Sequence, residues 1–512
     1  MAGVRRRRAL GLLAFGASAA TAGALWHTSS PPGAEPVAAG WGKAPTPKPA
    51  PAGPAGPAPV IGENEATGTA WPPKGSRRPG VDDRHRQIQG YASATSVAPG
   101  QAIDFHIAVD PAGPYRITIV RLGWYGGAGA RELLTSPELT GGPQPVPLPE
   151  PDGGALICRW PVSWTLRVPD DWTSGLYQAI FTSAEGWRGY APFVVRDDRR
   201  AAALCVVLPF TTYQAYNQWP MDGTIGRSLY YGYQDGALNY ERRSLTVSFD
   251  RPYAYDGRPK HLDRDHHFIR WAERQGYDVA YATTEDLHSG RLDPARHQGI
   301  VFCGHDEYWS EPMRVAADRA VAAGTSLAFF AANSVYWHIR LNPSADGRPE
   351  RLITCHKTAP DPGADTAGPT TYWRKVAHDG SRAEQGLLGI QYNGIVTDPQ
   401  PLVVSSAGHW FWSGTGLADG DRIPGLVGGE ADGRYSGLPR PTGVATTLAA
   451  SPYRTRQGQQ RLQRTHLYET PQGGLVFAAG TLFWTMALDR PKHRDARVER
   501  ATANLLDRMI RD

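Results

Sequence analysis

The chain is 512 residues long, with 54 Lys+Arg against 49 Asp+Glu, a formal net charge of +5, and 16 Trp and 22 Tyr. That length accommodates two or three domains around a large core. The near-balance of charge, with its one long basic block at Arg5-Arg6-Arg7-Arg8, excludes a nucleic-acid-binding stripe on the body.

Residues 1–27 read as a targeting segment. The four arginines precede the apolar run Ala9 to Gly16, and small residues follow from Ala17 to Ala24. The adjacent arginines and mild hydrophobicity resemble a twin-arginine signal, a route for proteins exported already folded. A Sec signal or an uncleaved anchor is the other reading of the same residues. The expected location is secreted or cell-surface, and no later run is long enough to span a bilayer. Residues 28–80 are rich in Pro, Ala and Gly (Pro45-Thr46-Pro47-Lys48-Pro49) and are expected to form an extended linker.

Short alternating strands broken by Gly and Pro fill residues 86–197, for example Ala102 to Val109, Tyr115 to Val120, Trp164 to Val168 and Gly175 to Phe181. Period-two alternation at this spacing predicts an immunoglobulin-like β-sandwich, a scaffold beside a second domain. From Ala201 to the end the grammar changes to alternating strands and helices. Strands are predicted at Ala203 to Leu208, Tyr277 to Ala282, Gly299 to Cys303 and Ser326 to Phe330. Helices are predicted at His267 to Gln275, stopped by Gly276, at Pro312 to Ala323, stopped by Gly324, and near Arg494 to Ile510. This is the pattern of a doubly wound parallel sheet. Cys158, Cys205, Cys303 and Cys355 are scattered, the first three within apolar runs, and are expected to be buried small hydrophobes.

In an open α/β sheet, ligands bind beyond the carboxyl ends of the strands. Four strand ends deliver polar or aromatic groups: Thr211 to Asn217, Thr283 to Asp286, His305-Asp306-Glu307, and Ala331 to Trp337. Glu285 and Asp286, close behind Thr283, fit the start of a capped helix. His305 and Glu307, two apart on extended chain, point to one side and form the sharper candidate.

The strings Thr212-Tyr213-Gln214-Ala215-Tyr216-Asn217, Ser228-Leu229-Tyr230, Gly304-His305-Asp306-Glu307-Tyr308-Trp309, Asn333 and Gly428-Gly429-Glu430-Ala431-Asp432 resemble the large (beta) subunit family of N,N-dimethylformamidase. So do Arg121 to Gly127 and Trp172 to Tyr177 in the sandwich. The resemblance implies a glutaminase-like α/β domain behind the sandwich and hydrolysis of a small linear amide. It implies a mononuclear iron (Fe3+) held by Tyr230, Glu307 and Tyr216, with Tyr213 the alternative to Tyr216. It also implies Glu430 as general base, with His305 and Asn333 beside the reacting groups. A small companion subunit or a homo-oligomer follows from the same family. Phenolate and carboxylate are hard donors that suit ferric iron, which acts on an amide as a Lewis acid. The alternative reading of the chain is a non-catalytic cell-surface or glycan-binding protein that keeps the fold without the metal.

Overall fold

Leu and Val dominate the strand Leu204–Leu208, every residue of which is buried. Such a run suits a strand covered on both faces, and it lies one strand in from the edge of the main sheet. In spatial order that sheet runs Val279–Thr283, Leu204–Leu208, Gly299–Phe302, Ser326–Phe329, Leu475–Ala478, Gln460–Glu469, Val444–Arg454. The first five are parallel and the last two antiparallel. The chain leaves the first-formed strand to one side and returns on the other. The switch point therefore lies at the carboxyl end of Leu204–Leu208, where a crevice opens.

The computed structural model describes residues 59–72 and 81–510. The expected signal, residues 1–27, lies outside them. So does most of the expected linker, residues 28–80, except 59–72, where the structure differs from an extended chain. Pro59–Asn64 is helical, and Thr69–Ala70 pairs with Gly129–Thr135. Hydrogen bonds hold this piece down: Asn64 Oδ1 accepts from the Trp124 and Tyr125 amides at 2.9 Å each. Composition hid this because the anchoring residues, Glu63 and Asn64, interrupt a Pro/Ala/Gly-rich tract. Among the described residues no helix is long and apolar enough to cross a membrane.

The expected α/β-plus-β organisation is present. The β part has a seven-stranded sheet built on Gly113–Leu122, Gly175–Ser183 and Arg188–Val195, and a three-stranded sheet of Ile88–Ala92, Ala102–Val109 and Trp164–Arg167. Ile88, Phe105, Ile107, Ile117, Tyr177, Phe181 and Phe193, drawn from both sheets, form one core. Helix limits differ slightly from those predicted: Leu262–Gln275 starts five residues early, and the others are Glu311–Ala322 and Ala496–Met509. Thr283 and Asp286 form a capping box, as their spacing predicts. All four cysteines are buried and free.

Both parts lie in one compact unit joined by a buried polar seam. Arg121 Nη2 donates to Glu273 Oε1 at 2.7 Å, and both side chains are 0% exposed. Tyr281 Oη and Asn64 Nδ2 also donate to Glu273, at 2.8 and 2.9 Å. Gly123 is required here, since a Cβ on it would lie 2.4 Å from Glu273 Oε2. Phe411, Trp412 and Trp373 pack as core, all three buried.

Candidate functional site

The functional side chains gather at the carboxyl ends of the parallel strands: Tyr216 and Tyr230 follow Leu204–Leu208, His305 and Glu307 follow Gly299–Phe302, and Asn333 follows Ser326–Phe329. Beyond Leu204–Leu208 the short helix Phe210–Ala215 ends at Tyr216. Beyond Gly299–Phe302 comes the Gly304 to Glu307 loop. A Cβ on Gly304 would fall 1.9 Å from Asp265 Oδ1, so only glycine lets the chain pass. Thr212 Oγ1 fixes the loop by accepting from the Glu307 and Tyr308 amides at 3.0 and 3.2 Å. Beyond Ser326–Phe329, Asn333 and Val335 both adopt φ of +56°, a costly conformation for a β-branched residue. It is held by Val335 N donating to Asp306 O at 2.8 Å and Asn333 N donating to Asp432 Oδ1 at 2.8 Å. Glu430 begins the strand Glu430–Gly433. That strand is tied to the loop after the fifth parallel strand, where Asp432 N donates to Gly480 O at 3.1 Å.

Six predicted residues meet in this crevice. Tyr230 Oη donates to Glu307 Oε1 at 2.6 Å, and Asn333 Nδ2 donates to the same oxygen at 3.2 Å. His305 Nε2 stands 3.2 Å from Glu307 Oε2, 3.6 Å from Glu430 Oε2 and 3.4 Å from Tyr216 Oη. The Tyr216 and Tyr230 rings stack with centroids 4.5 Å apart. Tyr308 meets both edge-on, at 6.4 and 6.3 Å. Tyr213 lies elsewhere, its hydroxyl bonded to Asp265. Asp306 is buried away from this cluster, its carboxyl pushed up to about 8 by desolvation.

Electrostatics follow from burial. A carbonyl can only accept, so the 3.2 Å contact with Ala332 O puts a proton on His305 Nδ1. Burial opposes a charge on His305, but Glu307 and Glu430 outweigh it and hold the imidazole above its ordinary value. Burial also opposes ionisation of Glu307, yet His305 and Lys357 hold it below the usual carboxylate range. Glu430 is raised, chiefly by desolvation and despite the pull of His305. The arrangement is an ion pair, His305 with Glu307, beside a carboxyl that retains its proton more readily.

Sequence reasoning missed Lys357. Its Nζ lies 3.4 Å from the Tyr230 ring centroid and 4.7 Å from that of Trp337, and desolvation pulls its pKa down to about 8. No spacing or motif marks it; only the fold brings its strand end under the tyrosines. Tyr308, inside a quoted string, could have been found as a third phenol.

The donor chemistry fits a hard cation. Glu307 Oε2, Glu430 Oε2, Asn333 Oδ1 and the Tyr308 hydroxyl are buried without a hydrogen-bond partner. Buried acceptors left open in this way are costly. Among the described residues no three His, Cys, Asp or Glu side chains stand at metal-ligating spacing.

The sequence model for the C-terminal part of N,N-dimethylformamidase beta subunit-like proteins matches residues 116–497. The chain belongs to this family. The N,N-dimethylformamidase beta subunit of Paracoccus aminophilus is 26% identical over 428 residues, covering 69% of this chain and 55% of that protein. The beta subunit from Alcaligenes sp is 25% identical with the same coverage. The chain thus spans about half the length of the curated relatives it matches. A superoxide reductase from Ignicoccus hospitalis aligns over 21% of this chain and 81% of its own, at 14% identity and a TM-score of 0.14, too low to carry an argument.

Proposed function

We propose that this protein hydrolyses C–N amide bonds, with Tyr216, Tyr230 and Glu307 holding a mononuclear ferric ion. One observation carries the reading: two stacked tyrosines, a carboxylate, a histidine, an amide and a second carboxyl meet in one buried crevice of a family member. The relatives are named for hydrolysis of N,N-dimethylformamide, which supports a small linear amide as substrate.

The ion, when bound, would supply Lewis acidity toward the amide carbonyl and lower the pKa of nearby water. The remaining work falls to side chains. Glu430, its side chain 13% exposed, is placed to take a proton from water as the water oxygen attacks the carbonyl carbon. It then passes that proton to the leaving nitrogen as the C–N bond breaks, giving carboxylic acid and amine, which exchange a proton in solution to carboxylate and ammonium. His305, charged and anchored by Ala332 O, faces Glu307 and Glu430 together and sets the proton balance between them. Asn333 Nδ2 fixes the Glu307 carboxylate, leaving its Oδ1 toward the crevice. The buried walls exclude bulk water and strengthen each of these charges.

The same reading includes an immunoglobulin-like type for the β part and a glutaminase-like type for the parallel sheet. It also includes export by the twin-arginine route and assembly with a small companion subunit or as a homo-oligomer. The family names of the relatives as beta subunits support the last point.

The test is amide turnover by the iron-supplemented full chain and by Glu430→Gln. Ammonia or amine release from small linear amides is expected, falling about 10²-fold or more in the variant. Absence of turnover on any small amide in the presence of bound iron would overturn the hydrolase reading.

A further inference from the structure

Two cations at the rim of the crevice have no part in the reaction above. Lys260 is exposed, with Nζ 4.8 Å from the Tyr216 ring centroid. Arg264, half-buried in the first turn of Leu262–Gln275, lies with its guanidinium carbon 5.8 Å from the Phe483 ring centroid. Phe483 is the ring against which the Glu430 loop rests, since a Cβ on Gly428 would fall 2.2 Å from Phe483 Cε2. The two cations therefore flank the crevice on the Tyr216 side and on the Glu430 side. Between them His261 turns the backbone at φ +76°, its ring 6.1 Å from Tyr216 and 6.0 Å from His305.

Neither cation is matched by a salt bridge among the described residues, and Arg264 Nη1 is buried without an acceptor. The carboxylates whose field reaches Arg264 are Asp263, Asp265 and Glu430; those reaching Lys260 are Glu430 and Glu307. Within the crevice Glu307 is balanced by His305. With Asp265 pushed up to about 7 by desolvation, Glu430 and Asp263 then stand against Lys260, Arg264 and the buried Lys357. A surplus of positive charge in a low-dielectric crevice attracts anions and penalises neutral ligands that leave a guanidinium N–H unpaired. A neutral amide such as dimethylformamide uses none of this.

We propose that the substrates are amides bearing a carboxylate, which Lys260 and Arg264 receive at the rim while the C–N bond lies against Glu430. The inference rests on the hydrolase reading for its reaction, but its charge preference can be tested by binding alone. Arg264, with a planar fork of donors, sets the carboxylate's orientation, and Lys260 adds a mobile point charge.

The experiment compares N-formylglycine with its neutral counterpart N-formylglycinamide on the iron-supplemented full chain, on Arg264→Met and on Lys260→Met. Two readouts are taken: kcat/KM, and equilibrium binding by calorimetry. The expected result is a preference of wild type for the carboxylate by about tenfold or more. That ratio should fall at least tenfold in Arg264→Met and by a smaller factor in Lys260→Met. Equal use and equal binding of the two compounds by wild type, or a loss in the variants that is the same for both, would overturn the proposal. If neither compound nor any other small amide is turned over, the hydrolase reading fails and calorimetry decides this one: carboxylate-selective binding lost in Arg264→Met upholds the anion site, and no selective binding sinks it. Circular dichroism of each variant confirms that the fold is kept.

Discussion

Tyr230 Oη and Glu307 Oε1 lie 2.6 Å apart although their residues are 77 positions apart in the chain. Burial and the Glu307 carboxylate both hold the phenol protonated well beyond its ordinary range, so without a cation the two share a strong hydrogen bond. Tyr230→Phe removes the donor and one proposed oxygen ligand while keeping the ring stack on Tyr216. Iron content is expected to drop to below about half of wild type, with turnover down about 10²-fold, while the far-ultraviolet spectrum is unchanged. Full iron occupancy in this variant would remove Tyr230 from the ligand set.

The sequence favours Tyr216 as the second tyrosine ligand and leaves Tyr213, three residues earlier on the same segment, as the alternative. The structure separates them: Tyr216 Oη stands 3.4 Å from His305 Nε2, whereas Tyr213 bonds Asp265. Tyr216→Phe should therefore lose iron and activity, and Tyr213→Phe should retain iron with a cost to stability of about 1 kcal/mol. Metal analysis of the two variants side by side checks the assignment; the reverse outcome would exchange them.

The Arg121–Glu273 pair is completely buried, so removing one partner strands the other. Arg121→Met should destabilise the protein by about 3–5 kcal/mol, read as a lowered midpoint in denaturant. Replacing both residues by apolar ones should recover much of that loss. A single-variant loss under about 1 kcal/mol would show that the seam is held by other contacts.

Asp265 is pushed up to about 7 by desolvation, although the Tyr213 and Cys303 hydrogen bonds work in the opposite direction. Its ordinary value is 3.8, so the stability linked to its proton is fully present below that pH and is lost as pH rises through about 7. Buried histidines act the other way: His266 is pulled down to about 3 by desolvation. The difference between wild type and Asp265→Asn isolates the carboxyl. The melting temperature of the variant, relative to wild type, should rise between pH 5 and pH 8. A difference that is flat or falls over that window would contradict the burial of an ionisable Asp265.

Much of the fold is legible in local patterns. The apolar runs at Leu204, Gly299 and Ser326 become buried parallel strands because β-branched and aromatic residues covered on both faces need no alternation. Glycines 276 and 324 stop their helices as expected. The antiparallel extension of the sheet by Gln460–Glu469 and Val444–Arg454 was not legible, because strands with mixed polar content resemble turn-rich segments. At the site, His305 and Glu307 announce themselves by following a strand that ends abruptly. Lys357, Lys260 and Arg264 do not, since their importance comes from which carboxylates they lack, a property of three-dimensional neighbourhood. The docked segment at residues 59–72 shows the same limit: two polar residues can anchor a tract whose composition reads as linker.

The central claim is that Tyr216, Tyr230 and Glu307 bind ferric iron, and metal analysis with a visible absorption spectrum tests it most directly. Near-stoichiometric iron with a phenolate-to-iron absorption band, both lost in Glu307→Ala, is the predicted result. A folded, colourless protein that takes up no added iron would contradict it.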